Sequence, residues 1–125
     1  MAELEHVNIT VPDADATAAV LCDLFEWQVR WKGAAKNDGL SVHVGSAASY
    51  VALYTPGATA PGRDDSYATT GAMNHIGITV ADIDATEARV RAAGYTTHSH
   101  GDYEPGRRFY FDDANGVEIE VVCYA

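Results

Sequence analysis

Two stretches of this chain are near-copies of each other. Residues 6–17 read HVNITVPDADAT and residues 75–86 read HIGITVADIDAT. Eight of the twelve aligned positions are identical, and histidine comes first in both. A repeat of this kind predicts one supersecondary unit written twice, with matching residues at matching places. A chain of 125 residues is long enough for one domain with its own hydrophobic core. The expected organisation is therefore a single domain over 1–125. Module one spans 1–55, a linker spans 56–73, and module two spans 74–125.

Each copy has the same order of local signals. In LEHVNITV (4–11), His6, Asn8 and Thr10 alternate with Val7, Ile9 and Val11. Period two with one apolar side is a half-buried strand. Asp13 or Asp15 is a suitable N-cap for a helix through ATAAVLCDLF, because a carboxylate accepts from the free N–H groups of the first turn. Val20, Leu21, Leu24 and Phe25 form the helix's apolar stripe. WQVRWK (27–32), LSVHVG (40–45) and SYVALYT (49–55) come next as strands. In module two, NHIGITV (74–80) is a strand, and Asp82 or Asp84 caps a helix through ATEARVRAA. Gly94 suits the left-handed residue that closes a helix. YTTHSH (95–100), RRFYFDD (107–113) and VEIEVVCY (117–124) are the last strands. Both modules read β-α-β-β-β, which is an α+β packing with a helix over one face of a sheet. Loops are expected at 33–39, 56–73 and 100–107. The middle one is long enough to act as an arm or lid.

Bulk properties narrow the function. The formal charge is −10. A compact domain this acidic is repelled by phosphate backbones, so a nucleic-acid partner is not expected. No apolar run approaches the roughly 20 residues of a membrane span. MAELEHVNIT lacks the basic and apolar regions of a secretory signal, so the expected location is cytoplasmic. Cys22 and Cys123 have no metal-type spacing and read as small reduced side chains.

The polar strand faces carry the chemistry. Opposite the apolar residues stand His6, His43, His75, Tyr50, Tyr54, Tyr110, Glu118, Glu120 and Tyr124. Histidine, tyrosine and glutamate on such faces predict a small-molecule cleft with a few convergent polar groups. His6 and His75 hold equivalent places in the repeat, and the pseudo-symmetry of a duplicated unit brings such places together. With Glu118 or Glu120 they make a two-histidine, one-carboxylate set suited to a divalent first-row metal with open positions. Tyr110 and His43 share the cleft face and are the candidate proton donors or acceptors. His98 and His100 fall near a loop and are expected in solvent.

The motifs EHVNITVPD (5–13), NHIGITVAD (74–82), RVRAAGY (89–95) and FYFDDANGVEIEVV (109–122) resemble the vicinal oxygen chelate superfamily. That superfamily includes glyoxalases, bleomycin-resistance proteins and extradiol dioxygenases. The resemblance implies two tandem βαβββ modules forming a curled mixed sheet around a metal cleft. It implies His6, His75 and Glu120 as ligands of a divalent ion, which could be Fe, Mn, Ni, Co or Zn. It also implies a homodimer and a small oxygen-rich substrate chelated to the ion, with dioxygenase- or lyase/isomerase-type chemistry.

Departures from the superfamily's patterns shape the expectation further. The place of a fourth, glutamate ligand in glyoxalase I-like members falls on Ala52. The extradiol signature is matched by Phe109, Tyr110, Asp113, Gly116 and Glu120, but Ala114 replaces its proline. Only Arg107 and Arg108 lie near the site stretches, so a phosphonate substrate is not expected. The alternative from the same resemblance is a non-catalytic, bleomycin-resistance-like protein that binds a cationic drug in an acidic, aromatic cleft.

Overall fold

A computed structural model describes residues 1–62 and 65–124. Residues 63–64 of the expected linker and residue 125 lie outside the described residues. Two compact units emerge, Met1–Ala60 and Pro61–Ala125. In the first unit, β1 (His6–Thr10), α1 (Ala14–Phe25), β2 (Gln28–Ala35), β3 (Gly39–Gly45) and β4 (Tyr50–Thr55) succeed one another. In the second, β5 (His75–Thr79), α2 (Ile83–Ala92), β6 (Thr97–Tyr103), β7 (Gly106–Asp112) and β8 (Glu118–Cys123) repeat the order. The expected β-α-β-β-β order holds in both. No helix among the described residues is long and apolar enough to cross a membrane.

Each unit forms a four-stranded mixed sheet, ordered β1-β4-β3-β2 and β5-β8-β7-β6. The first strand pairs in parallel with the last, and the other pairings are antiparallel. The registers correspond rung for rung. His6 stands opposite Tyr50 and Asn8 opposite Ala52. His75 stands opposite Glu118 and Gly77 opposite Glu120.

Capping sets the helices. Asp13 accepts from the Ala16 N–H and Asp82 from the Ala85 N–H, each at 3.0 Å. The two aspartates at matching places in the repeat are thus the N-caps, which answers the first-turn N–H groups that have no helical partner. Helix α1 buries Ala14, Ala18, Leu21, Leu24 and Phe25 against β3 and β4. Helix α2 buries Ile83, Thr86 and Val90. Gly94 takes φ +96° after α2, as expected of a helix-closing glycine. The apolar strand faces complete each core, with Val42, Val44 and Leu53 in one and Phe109, Phe111, Ile119 and Val121 in the other.

Three expectations need correction. Residues 100–103 and 106–107 are not a loop, because β6 and β7 continue through them and only Glu104–Pro105 join the strands. Likewise β2 runs through Ala35, so the turn at 33–39 shrinks to residues 36–38. The third concerns exposure: on β6, His100 is exposed as expected, but His98 is only half-exposed. A register shift lies between His98 and Gly101, and Ser99 sits there at φ 55°. A bulge adds one residue to a strand and so reverses the face of every residue beyond it. His98 therefore stacks on Tyr110, with 6.2 Å between rings, while His100 turns toward α2.

On the helix side, Glu87 ties α2 to β6. Its Oε2 accepts from Thr97 Oγ1 at 2.5 Å, from His100 Nε2 at 2.6 Å and from Arg91 Nη2 at 2.9 Å. Burial acts to raise the Glu87 pKa, but the Thr97 and His100 hydrogen bonds and the His100 and Arg91 charges outweigh it and leave it lowered.

Two stability measurements check these contacts. Phe111 is fully buried, and Phe111→Ala should lower the unfolding free energy by about 3–5 kcal/mol in urea titrations. Because the Glu87 pKa is depressed on folding, its contribution is present above the ordinary value of 4.5 and lost as pH falls through the folded value. Glu87→Gln should cost about 2 kcal/mol at neutral pH and flatten the acid limb of a stability–pH curve.

Candidate functional site

Strand parity and the parallel β5–β8 pairing place His75, Glu118 and Glu120 on one face of the second sheet, with Tyr110 and Arg108 beside them on β7. Asn74 Oδ1 lies 2.6 Å from His75 Nδ1. An amide oxygen only accepts, so Nδ1 is the donor of that hydrogen bond and Nε2 is left for other partners. That Nε2 stands 3.3 Å from Glu120 Oε1. An imidazole nitrogen and a carboxylate oxygen at that spacing form an ion pair when the ring is protonated, and they are also the donor types that hold a divalent first-row ion.

Glu120 is held from its other oxygen. Arg108 Nη1 donates to Oε2 at 3.0 Å, and both side chains are largely buried. The Arg108 guanidinium also lies 4.5 Å over the Tyr103 ring, while its Nε is buried without a hydrogen-bond partner. An outer partner of this kind orients a ligating carboxylate and leaves its inner oxygen free. Burial, and then the hydrogen bond to Glu120, pushes the Tyr110 phenol above its usual range. Tyr110 therefore keeps its phenolic proton at neutral pH.

The first unit has the same plan with other side chains. Glu5 Oε1 lies 2.9 Å from His6 Nδ1. A carboxylate only accepts, so His6 Nδ1 is the donor there, as His75 Nδ1 is in the second unit. The Tyr50 hydroxyl donates to the same Glu5 oxygen at 3.2 Å. The hydrogen bond with His6, then that with Tyr50, lowers the Glu5 pKa. The Tyr50 ring stacks on His6 at 4.8 Å and on His43 at 4.5 Å, and the Arg30 guanidinium lies 4.6 Å over it. His43 also meets Trp31, with 4.9 Å between rings. Burial is the main cause of a lowered His43 pKa, with His6 and Arg30 nearby adding to it. By register, Ala52 is the counterpart of Glu120, and His43 that of Tyr110.

Of the expected site residues, the second unit thus gathers His75, Glu120 and Tyr110, and the first gathers His6 and His43. Tyr124 lies beyond the end of β8 and is exposed. Several participants escape sequence reasoning. Asn74 and Glu5 are the residues just before the repeat histidines, and that position was their only signal. Tyr67 comes from the expected linker. Turns anchored on the Asp65 carbonyl bring its hydroxyl to Glu118 Oε1, in a short hydrogen bond, and to 3.4 Å from His75 Nδ1. The Glu118 hydrogen bond, with burial and the Glu118 charge behind it, pushes the Tyr67 phenol up to about 12.

Known proteins share this arrangement of strands and helices. Among curated proteins the sequence has no match. The glyoxylase/bleomycin resistance protein/dioxygenase domain from Frankia sp. EAN1pec has a similar structure, with a TM-score of 0.82 at 19% identity over 100% of this chain and 99% of that one. The fosfomycin resistance protein FosX from Listeria monocytogenes, solved with Mn(II) and sulfate, gives a TM-score of 0.75 at 19% identity over 100% and 94%. FosX from Mesorhizobium loti gives 0.71 at 19% over 98% and 91%. At these identities the likeness is one of fold. The sequence profile of the Glyoxalase/Bleomycin resistance protein/Dioxygenase superfamily matches residues 3–121. With its duplicated β-α-β-β-β units, the chain belongs to that superfamily.

Proposed function

We propose that the protein is a metal-dependent enzyme acting on a small oxygen-rich substrate, with dioxygenase- or lyase/isomerase-type chemistry. His6, His75 and Glu120 are the residues that would hold a divalent ion. The observation that supports this reading is shared by both repeats. In each, the residue before the histidine holds Nδ1, through Glu5 at 2.9 Å and Asn74 at 2.6 Å. Both Nε2 atoms are thereby left available to a metal, as is usual for ligating histidines whose other ring nitrogen is held by an outer partner.

When bound, the ion supplies a Lewis acid with open positions for two vicinal oxygens of the substrate. The chain's own residues do the rest. Arg108 fixes the Glu120 carboxylate, and Tyr110 holds a proton on the phenol beside it. A phenol in that state can donate to an oxyanion that develops on the substrate. The aromatic rings of Tyr50, His43 and Trp31 supply stacking surfaces for a planar substrate. A homodimer is part of the same proposal, by the superfamily likeness. The manganese in the Listeria relative makes Mn(II) the first ion to try.

Elemental analysis of untagged protein, dialysed against Mn(II), Fe(II) or Zn(II), tests the ligand set. The expected result is one ion fewer per chain in His6→Ala and Glu120→Ala than in the native protein. Asn74→Ala should weaken binding by roughly 10–100-fold, since it removes only an outer partner. A native protein that takes up none of these ions would favour the drug-binding alternative, to be pursued by titration with cationic aromatic ligands.

A further inference from the structure

Next to the β5–β8 rung on the polar face of the second sheet lies another group of ligand atoms. His98 on β6, Asp112 at the end of β7 and Glu118 at the start of β8 each bring one ligand atom within 4.8 Å of the other two. None of them belongs to the proposed set of His6, His75 and Glu120.

Three independent features converge on this group. The first is the state of His98. Its Nδ1 is engaged by Ser99 Oγ at 2.9 Å. Its Nε2 is buried and has no hydrogen-bond partner among the described residues. Asp112 Oδ2 stands 3.4 Å from it, outside hydrogen-bond geometry. A buried ring nitrogen with only an ion-pair contact to a carboxylate and no hydrogen bond is open to a ligand of another kind.

The second feature is charge. Asp112 and Glu118 are direct register partners on adjacent strands. Like charges placed opposite each other destabilise a sheet, and a cation between them removes that repulsion. The turn that joins them is fixed by Asp113, whose Oδ1 accepts from the N–H groups of Asn115 and Val117 at 2.8 and 2.9 Å.

The third is backbone. Ser99 holds φ 55°, a conformation that non-glycine residues adopt at an energetic penalty. That residue makes the bulge that sends His98 to this face. Tyr67, which donates to Glu118 Oε1, completes an outer partner for a ligating carboxylate.

We infer that His98, Asp112 and Glu118 form a second divalent-cation site, carried wholly by module two. Its imidazole and carboxylate donors suit a first-row ion such as Zn(II), Co(II) or Mn(II). Such an ion would clamp the ends of β6, β7 and β8 together beside the Tyr67 arm.

The test is equilibrium dialysis of the full chain against Zn(II), and separately Co(II), with elemental analysis of each variant. Circular dichroism and the urea midpoint report that each variant is folded. Asp112 is exposed, so Asp112→Asn serves as the mildest change should His98→Ala unfold. His6→Ala protein should still retain an ion, and adding His98→Ala or Asp112→Asn should remove it. Ser99→Ala should weaken that ion roughly 10–100-fold, as loss of a positioning partner does. Zinc binding by His98→Ala and Asp112→Asn that equals the native protein in affinity and stoichiometry overturns the inference. A single ion lost in His6→Ala but kept in Asp112→Asn overturns it while leaving the proposed function intact. The converse pattern supports this site and removes the ligand set proposed above.

Discussion

Parallel pairing of the first and last strands of each module is the interaction on which the site depends. It sets His75 opposite Glu118 and Gly77 opposite Glu120. Because side chains alternate along a strand, one register decides that the histidine and both glutamates share a face. A slip of one residue in β8 would turn Glu118 and Glu120 into the apolar core and Ile119 and Val121 out of it. The burial of Ile119 and Val121 is therefore what holds the acidic pair in position. Core packing and site chemistry are two faces of the same register.

The two modules share this frame and diverge in what they place on it. Tyr50 takes the rung of Glu118, Ala52 that of Glu120, His43 that of Tyr110, and Trp31 that of His98. The first unit's polar face is consequently an aromatic stack of His6, Tyr50, His43 and Trp31. The second unit's face is acidic, with Arg108 as the cation that offsets Glu120. Duplication preserved the capping aspartates and the leading histidine, which build the fold and present Nε2. The rungs away from that histidine carry different residues in the two units.

Much of this is legible in the residues. Val7-Ile9-Val11 and Ile76-Ile78-Val80 alternate cleanly, and Asp13 and Asp82 precede helix formers, so strand, cap and helix can be placed from local physics. The face that carries His75, Glu118, Glu120 and Tyr110 is readable from parity alone. What parity cannot reveal is where it breaks. His98 and His100 are two apart and read as sharing one face. Ser99 separates them by adopting a backbone that its residue type gives no reason to expect. Tyr67 is hidden for a different reason. It lies in a stretch of Gly, Pro, Thr and Asp with no period, and its partner Glu118 is 51 positions away in the sequence. The hairpin at Glu104–Pro105 looks like an open polar loop because the strands flanking it are themselves polar.

The bulge at Ser99 has a wider consequence. An extra residue in an edge strand changes which side chains meet the helix and which meet the ligand face, yet it leaves the neighbouring strands untouched. His100 is thereby recruited to hold α2 through Glu87, and His98 is released to the opposite side. Insertion or deletion of one residue in β6 is thus a way to move a histidine from the helix side of the sheet to its other face in a single step. The sheet edge works as an adjustable element, and new donor sets can be tried there without repacking Phe109, Phe111 or Val121.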